Sequence, residues 1–462
     1  MIRLYLLTIL FIISVSVNFA EEDVLLASLC HPTEYRSRNT CDCSSENESP
    51  WGVPAVKIDC SFKNLKSKDF PGDVLPLYSN TLDISWNTLE YVPSFESDSL
   101  KILNAMHNNI LELVENNFQH LTMLQELYVS WNAIQTISSN AFEDLKYLQV
   151  LDLSHNNVKQ IGFNVFGFLP SLNKLDMSWN RQLNNSSDLQ AADFYLQFGV
   201  CLKLATLKLD KCGLKEINLP EKALLTSLSL RDNELERIPS VLPLTLKELD
   251  FSGNPLSSLS ESHTKKLTGL EILFFEDMPS LTTVEMNSLT HLTKLRALSF
   301  QNCRHLSSFH EFAFGEQPTN RSLEVLSFRG SALRSFNETL LPVFQQLKEI
   351  DLNGMPLKCD CDMVWIKELK VDTNGRCITP SRLRGVKLTK VQKKDFSCDR
   401  WPKWVYACLI LLTLILCTAG ISLVVIGLRP KSNRVSMRRK IGSNSPYARV
   451  TIEPNRQDNS YY

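Results

Sequence analysis

Thiols are the side chains whose spacing most plainly supports chemistry in this 462-residue sequence. Four cysteines lie near the N-terminus and four lie between residues 358 and 400, and each group contains a Cys-x-Cys pair. The eight are Cys30, Cys41, Cys43, Cys60, Cys359, Cys361, Cys377 and Cys398. Grouped cysteines can form disulfides or hold a metal ion. Cys-x-Cys is shorter than the usual spacing of zinc ligands, so we predict disulfides and no metal site. Spacing alone leaves three pairings open within each group of four.

Catalytic motifs are missing from the sequence. There is no G-x-S-x-G nucleophile turn, no phosphate-binding Walker loop and no dinucleotide-binding G-x-G-x-x-G. His310 and Glu311 begin a zinc-protease pattern, but Phe314 stands where the second histidine is required. We therefore predict that the protein is not an enzyme and needs no cofactor. The net charge of −1 also argues against a dedicated nucleic-acid binder.

A repeated pattern organises the middle of the chain. Leu-x-x-Leu-x-Leu-x-x-Asn-x-Leu recurs with its asparagine position, here called the asparagine slot, at Asn87, Asn108, Asn132, Asn156, Asn180, Cys212, Asn233, Asn254, Met278, Cys303, Ser331 and Met355. The spacing is that of leucine-rich repeats. The leucines alternate with polar residues, so each unit supplies one apolar strand face that only its neighbours can cover. The pattern predicts an α/β solenoid, a horseshoe with a parallel concave sheet, over residues 79–357.

Rings occupy the position before the asparagine slot in the first five repeats: Trp86, His107, Trp131, His155 and Trp179. We call this row the ring ladder. Aromatic side chains are favoured as binding anchors, so the ladder is a candidate ligand site, with simple packing of neighbouring repeats as the alternative. Outward positions of the strands add Tyr128, Ile272 and Phe274 as candidates. For Ile272 and Phe274, burial through a distorted register is the alternative.

Hydropathy and charge predict where each segment of the chain lies relative to a membrane. Residues 1–20 predict a secretory signal peptide, and Val405–Leu428 is an uncharged run long enough to cross a membrane as one transmembrane helix. Residues 429–462 carry eight basic and two acidic side chains, which is typical of a cytoplasmic tail. The sequence thus predicts a single-pass type I plasma-membrane protein with an extracellular N-terminus. Its expected glycosylation sites are Asn47, Asn184, Asn185, Asn320 and Asn337.

The cysteine segments resemble the caps of the extracellular leucine-rich-repeat receptors and adhesion proteins. Residues 356–369 are similar to the start of their C-terminal cap, and residues 30–60 to their N-terminal cap. The resemblance implies caps over residues 21–78 and 358–400. It also implies disulfides joining the first cysteine to the third and the second to the fourth: Cys30–Cys43, Cys41–Cys60, Cys359–Cys377 and Cys361–Cys398. The remaining extracellular cysteines, Cys201, Cys212 and Cys303, are predicted to be buried free thiols.

The expected activity is recognition or adhesion at the cell surface, with a protein ligand, which could be a second copy, on the concave face. The alternatives are an accessory subunit of another membrane protein and a pattern-recognition receptor without its own signalling domain. Six basic residues within 382–394 could meet an anionic glycan, or could simply be solvated. In the tail, Tyr447 and Val450 fit a Tyr-x-x-hydrophobic sorting signal.

Overall fold

A computed structural model describes residues 41–46, 55–70, 75–76, 78–183, 194–317, 322–396 and 403–427. The chain divides into two compact units, Met1–Cys398 and Asp399–Tyr462. The predicted signal peptide, the tail with Tyr447 and Val450, and four of the five glycosylation sites (Asn47, Asn184, Asn185, Asn320) lie outside the described residues.

Short strands dominate the first unit. In chain order they are β1 Asp42–Glu46, β2 Ala55–Asp59, β3 Ser79–Asp83, β4 Ile102–Asn104, β5 Glu112–Leu113, β6 Glu126–Tyr128, β7 Thr136–Ile137, β8 Val150–Asp152, β9 Gln160–Ile161, β10 Lys174–Asp176, β11 Thr206–Lys208, β12 Ser227–Ser229, β13 Glu248–Asp250, β14 Ser258–Leu259, β15 Ile272–Phe274, β16 Thr283–Val284, β17 Ala297–Ser299, β18 Ser308–Phe309, β19 Val325–Ser327, β20 Glu349–Asp351, β21 Leu357–Lys358 and β22 Cys377–Thr379.

Helices are few and mostly short. The α-helices are α1 Phe194–Phe198, α2 Glu261–Thr264, α3 Leu341–Phe344 and α4 Lys403–Gly427. Segments of 3₁₀ helix lie at Ser67–Asp69, Glu115–Asn117, Val165–Phe168, Glu338–Leu340, Cys361–Glu368, Ser381–Leu383, Leu388–Lys390 and Lys393–Asp395. Among the described helices, none combines the length and the apolar character needed to cross a bilayer. The predicted span ends at Leu428, which is outside the described residues, and it stays a prediction.

One sheet of fourteen strands runs through the first unit. Twelve of its strands, β3, β4, β6, β8, β10–β13, β15, β17, β19 and β20, each come from one of the twelve predicted repeats. Their pairing is parallel, and the central residue of each strand is aligned with the centre of the next, as in Leu127 beside Leu151. These central side chains are at most 2% exposed, because stacking is the only way that a repeat can bury its strand face.

The asparagine slot fixes how each repeat turns out of its strand. The Asn156 side-chain amide donates to the carbonyl oxygens of Leu153 and Ser154 in its own turn and of Val129 in the preceding repeat, at 3.0–3.1 Å. Its oxygen accepts from the Ile134 N–H at 3.1 Å. One side chain therefore satisfies four backbone groups within a buried turn, where unpaired polar atoms are costly.

Cysteine replaces asparagine in two slots and keeps part of the hydrogen bonding that the asparagine side chain provides. The Cys212 thiol lies 3.3 Å from the carbonyl oxygen of Met177, and the Cys303 thiol lies 2.9 Å from that of Phe275. Burial raises the pKa of each thiol to about 12, so both are protonated donors at neutral pH. The expectation for Cys201 is wrong: its side chain is partly exposed. It lies before strand β11, at the edge of the sheet where the chain enters the repeat, rather than in a slot.

Disulfides close the two ends of the repeat array. Cys41 is bonded to Cys60, and Cys359 to Cys377. These are two of the pairs that the family resemblance implies. Cys43 and Cys361 are also disulfide-bonded, with partners outside the described residues. A covalent closure suits small caps that have little core of their own.

Asn156→Ala tests how much the asparagine slot contributes to the stability of the fold. The substitution leaves four backbone groups without their partner, so we expect it to lower the free energy of unfolding by about 2–3 kcal/mol. Urea denaturation of the full chain, followed by circular dichroism, measures the loss.

Ser331→Ala is the matched control, because it removes a side chain from the same slot of another repeat. The buried Ser331 hydroxyl oxygen has no hydrogen-bond partner among the described residues. Its removal should change the free energy of unfolding by less than about 0.5 kcal/mol. Equal losses for the two variants would refute the assignment of stability to the slot hydrogen bonds.

Candidate ligand-binding face

The residue before each asparagine slot has a left-handed backbone. Its φ angle lies between 52° and 77° in all twelve repeats. Glycine occupies this position in three late repeats, at Gly253, Gly330 and Gly354, and adopts such angles without steric cost. The first five repeats place the ring ladder there instead, with φ between 53° and 64°. A bulky residue in this conformation costs roughly 1–2 kcal/mol.

The rings of the ladder form one continuous stack. Successive ring centroids, from Trp86 through His107, Trp131 and His155 to Trp179, lie 3.7, 5.2, 3.8 and 4.8 Å apart, with interplanar angles of 9–18°. Each tryptophan is nevertheless 37–49% exposed. The ladder is therefore packed between repeats and accessible to a ligand at the same time.

Two residues that the sequence analysis missed close the ends of the stack. Phe62 lies on Trp86 at 5.1 Å between ring centroids, and the Lys211 ammonium lies 3.8 Å from the centroid of Trp179. Both have the same left-handed backbone as the ladder. Phe62 precedes Trp86 by 24 residues and Lys211 immediately precedes the Cys212 slot, so extending the repeat register by one unit in each direction finds them.

Burial shifts the pKa values of His155, in the ladder, and of Tyr128, at an outward position of β6. Burial lowers the pKa of His155 below its ordinary value of 6.5, although the carboxylates of Asp152 and Asp176 oppose this shift. His155 is consequently a neutral ring at extracellular pH. The Tyr128 hydroxyl donates to a Glu126 carboxylate oxygen at 2.7 Å. Burial, with that hydrogen bond, raises the pKa of Tyr128 to about 12, so its hydroxyl stays a donor.

Ile272 and Phe274 lie at outward positions of β15, on either side of the fully buried Leu273. Both are partly buried, and the strand pairs in regular register with β13 and β17. The distorted register that was the alternative is therefore not seen. The two side chains remain candidate apolar contacts at outward positions of the sheet.

Carboxylates surround one guanidinium on the later strands. Arg231 lies within 3.9 Å of Asp232, Asp250, Glu276 and Asp277. Burial raises the pKa of the neighbouring Asp210 despite a hydrogen bond from Ser229. This half of the face is therefore rich in partly buried negative charge. Within the described residues, no group of three or more His, Cys, Asp or Glu side chains is arranged to hold a metal ion.

Asn337 is the one predicted glycosylation site within the described residues. Its side chain is exposed, and its oxygen accepts from the Thr339 N–H at 3.1 Å. Glycosylation there stays a prediction.

Trp131→Gly tests how far the ladder serves stability. Glycine relieves the left-handed strain of roughly 1–2 kcal/mol, while two ring contacts of roughly 0.5–1.5 kcal/mol each are lost. The buried half of the indole also loses its contacts, so we expect the free energy of unfolding to fall by about 1–3 kcal/mol, measured by urea denaturation. Trp365→Gly is the control in the buried core and should cost about 3–5 kcal/mol. If Trp131→Gly lowered the free energy of unfolding as much as Trp365→Gly does, the ladder would serve only to stabilise the fold.

Comparison with known proteins places this geometry in a family. Residues 124–181 match the family model described as leucine rich repeat, and residues 243–342 match that of the BspA type leucine rich repeat region. Tsukushi from Gallus gallus is 28% identical over 342 residues, which cover 71% of this chain and 82% of that protein. CD180 antigen from Mus musculus is 25% identical over 261 residues, and the match spans 50% of this chain but only 38% of that protein.

One solved structure aligns with most of this chain. The octameric complex of Latrophilin 3, Unc5D and the leucine-rich-repeat domain of FLRT2 aligns with a TM-score of 0.44 and 19% identity, covering 76% of this chain and 97% of that one. This similarity is too distant to say anything of a ligand. The repeat strands, the asparagine slots, the disulfide-closed ends and the family matches agree with one another, and the chain is a leucine-rich-repeat solenoid with disulfide-closed ends.

Proposed function

We propose that this protein is a cell-surface recognition receptor that binds a protein ligand on its concave face, with the ring ladder as the principal anchor. The observation that carries the proposal is the exposure of three tryptophans at backbone positions where glycine is free of strain. Strained residues cluster at functional sites, because selection retains the strain for its use. Half-exposed tryptophans are also the residues most enriched among binding hot spots.

The ladder and its surroundings fit a protein ligand. The rings are preordered by stacking, so binding them costs little side-chain entropy. Tyr128, Ile272 and Phe274 add apolar area on the same sheet face, while hydrogen-bonding and charged groups lie between them. A face of this mixed composition matches the pattern of protein interfaces, where aromatic anchors are set among polar contacts.

Removing two rings of the ladder tests the proposal. Cells displaying the full chain are screened with a panel of cell-surface and secreted proteins, and each protein that binds is titrated on the variants. Trp131→Gly together with Trp179→Gly should weaken binding at least about tenfold, since hot-spot tryptophans contribute 2 kcal/mol or more.

The control for this experiment is Asn302→Gly, which changes the same left-handed position in a repeat outside the ladder. It should leave binding within about twofold of the unmodified chain. Equal binding by the ladder variant and the control, at equal surface display, would refute the assignment of the ligand site to the ladder.

We also propose that residues 405–428 anchor the protein in the plasma membrane. The 24 residues carry no charge, and at about 1.5 Å per helical residue they exceed the ~30 Å hydrocarbon core. Basic residues follow at the inner end, as the positive-inside rule requires.

Alkaline carbonate extraction tests the anchor. The full chain should remain in the membrane pellet, while a variant that ends at residue 400 should appear in the culture medium. Recovery of the full chain in the alkaline supernatant would refute the anchor. A binding assay on the released variant then separates anchoring from ligand recognition.

A further inference from the structure

We propose that a ligand of the concave face is a second copy of this chain, whose basic C-terminal cap docks on the acidic strands of the face. The inference rests on the proposed function, since it names the partner of the same face. It is carried by opposite charges on two separate surfaces of one chain.

The concave face has a large excess of negative charge. Three outward positions per repeat, the two that flank the buried centre of each repeat strand and the next one along, carry four basic residues, Lys174, Lys208, Arg231 and Arg329, and ten acidic ones. The acidic residues are Asp83, Glu126, Asp152, Asp176, Asp210, Glu248, Asp250, Glu276, Glu349 and Asp351.

Internal ion pairs do not neutralise this excess. Three of the four cations already contact carboxylates: Lys208 lies 3.8 Å from Asp176, Arg329 lies 3.9 Å from Asp351, and Arg231 contacts several acidic groups at once. Arg231 is shared among four carboxylates, of which only Asp232 has a second cation, Lys211 at 3.4 Å, so most of their charge has no counterion within the described residues. Such a face attracts a basic partner and repels an acidic one.

The C-terminal cap carries the complementary charge. Residues 382–394 contain six basic side chains and no acidic one. Arg382 donates to the backbone carbonyl of Asp395, and Lys393 lies 3.6 Å from Glu368. The other four, Arg384, Lys387, Lys390 and Lys394, are exposed and have no ion-pair partner within the described part of the chain. Their side chains are therefore available to carboxylates of another molecule.

A contact between cap and face joins two different patches. It is a heterologous interface, in which each copy still offers one unused patch of each kind. Such contacts propagate and cluster molecules rather than stop at a closed dimer. An anionic glycan would explain the basic cap but not the acidic face, whereas a second copy accounts for both surfaces.

Charge reversal with complementary mixing tests the inference on the full chain, purified in detergent and coupled to beads through a C-terminal tag. The cap variant carries Arg384→Glu, Lys387→Glu, Lys390→Glu and Lys394→Glu. The face variant carries Glu126→Lys, Glu248→Lys, Glu276→Lys and Glu349→Lys, none of which belongs to the ring ladder. These four reversals change the ten acidic and four basic positions to six and eight, so the face becomes net basic. Matched controls reverse the same number of exposed charges elsewhere: Lys222→Glu, Lys265→Glu, Lys266→Glu and Lys294→Glu, and separately Glu115→Lys, Glu143→Lys, Glu285→Lys and Glu316→Lys.

Beads with the unmodified chain should cluster, and 0.5 M salt should suppress clustering by screening. Each charge-reversed variant alone should cluster at least tenfold more slowly, because its cap and face then carry the same sign of charge. Mixing the two variants should restore clustering, since the acidic cap of one meets the basic face of the other. The controls should cluster like the unmodified chain. Restoration also shows that both variants are folded.

Three outcomes overturn the inference: unmodified beads that stay dispersed, variants that cluster alone at the unmodified rate, or mixed variants that do not cluster. If heparin binds the unmodified chain and not the cap variant while unmodified beads stay dispersed, the cap is a glycan site instead. The proposed function fails separately, through ladder variants that bind protein ligands normally. Ladder-dependent binding with dispersed beads refutes self-recognition alone.

Discussion

In seven of the twelve repeats, the hydrogen bonds of one asparagine amide hold the repeat to the one before it, and the register of the sheet depends on these turns. Asn156 bridges its own turn and the preceding one through four backbone groups. Asn87, Asn108 and Asn180 repeat the donor side of this arrangement, with amide donors reaching carbonyl oxygens one repeat back. The turn therefore has the same geometry from repeat to repeat. A constant turn keeps the strands parallel and in register, and this register builds the concave face.

The same turn forces a left-handed residue next to every slot, and the ring ladder follows from this constraint. Asparagine, aspartate and histidine tolerate the conformation better than other side chains, so tryptophan is the costly occupant. For Trp131, contacts with two neighbouring rings offer about 1–3 kcal/mol, against a strain of about 1–2 kcal/mol. These two terms nearly cancel, which leaves the buried half of the indole as the main contribution of Trp131 to fold stability. The exposed half contributes nothing to the fold, and under the proposed function it is the part that binds the ligand.

Much of the fold could be predicted from the sequence, because leucine spacing reports burial directly. All twelve predicted slots are preceded by a strand, and Leu151 lies at the buried centre of one of them. The candidate binding site was harder to predict from the sequence. Spacing placed Trp131 and His155 in one row but could not give the orientation of their rings, which depends on the φ angle of the turn. Phe62 was missed because it lies within the cap, where the leucine pattern is interrupted.

The closed ends of the stack decide what the ladder can recognise. Phe62 covers one end and the Lys211 ammonium covers the other, while the spacing between rings leaves no room for an inserted group. A ligand therefore meets the edges of the rings and not their faces. Ring edges carry partial positive charge, so they do not attract cations. Under the proposed function, the ladder recognises apolar or hydrogen-bond-accepting parts of a ligand, and the carboxylates of the neighbouring strands recognise its basic groups. The proposal thus assigns affinity and charge selectivity to different residues, so that mutation should change each without the other.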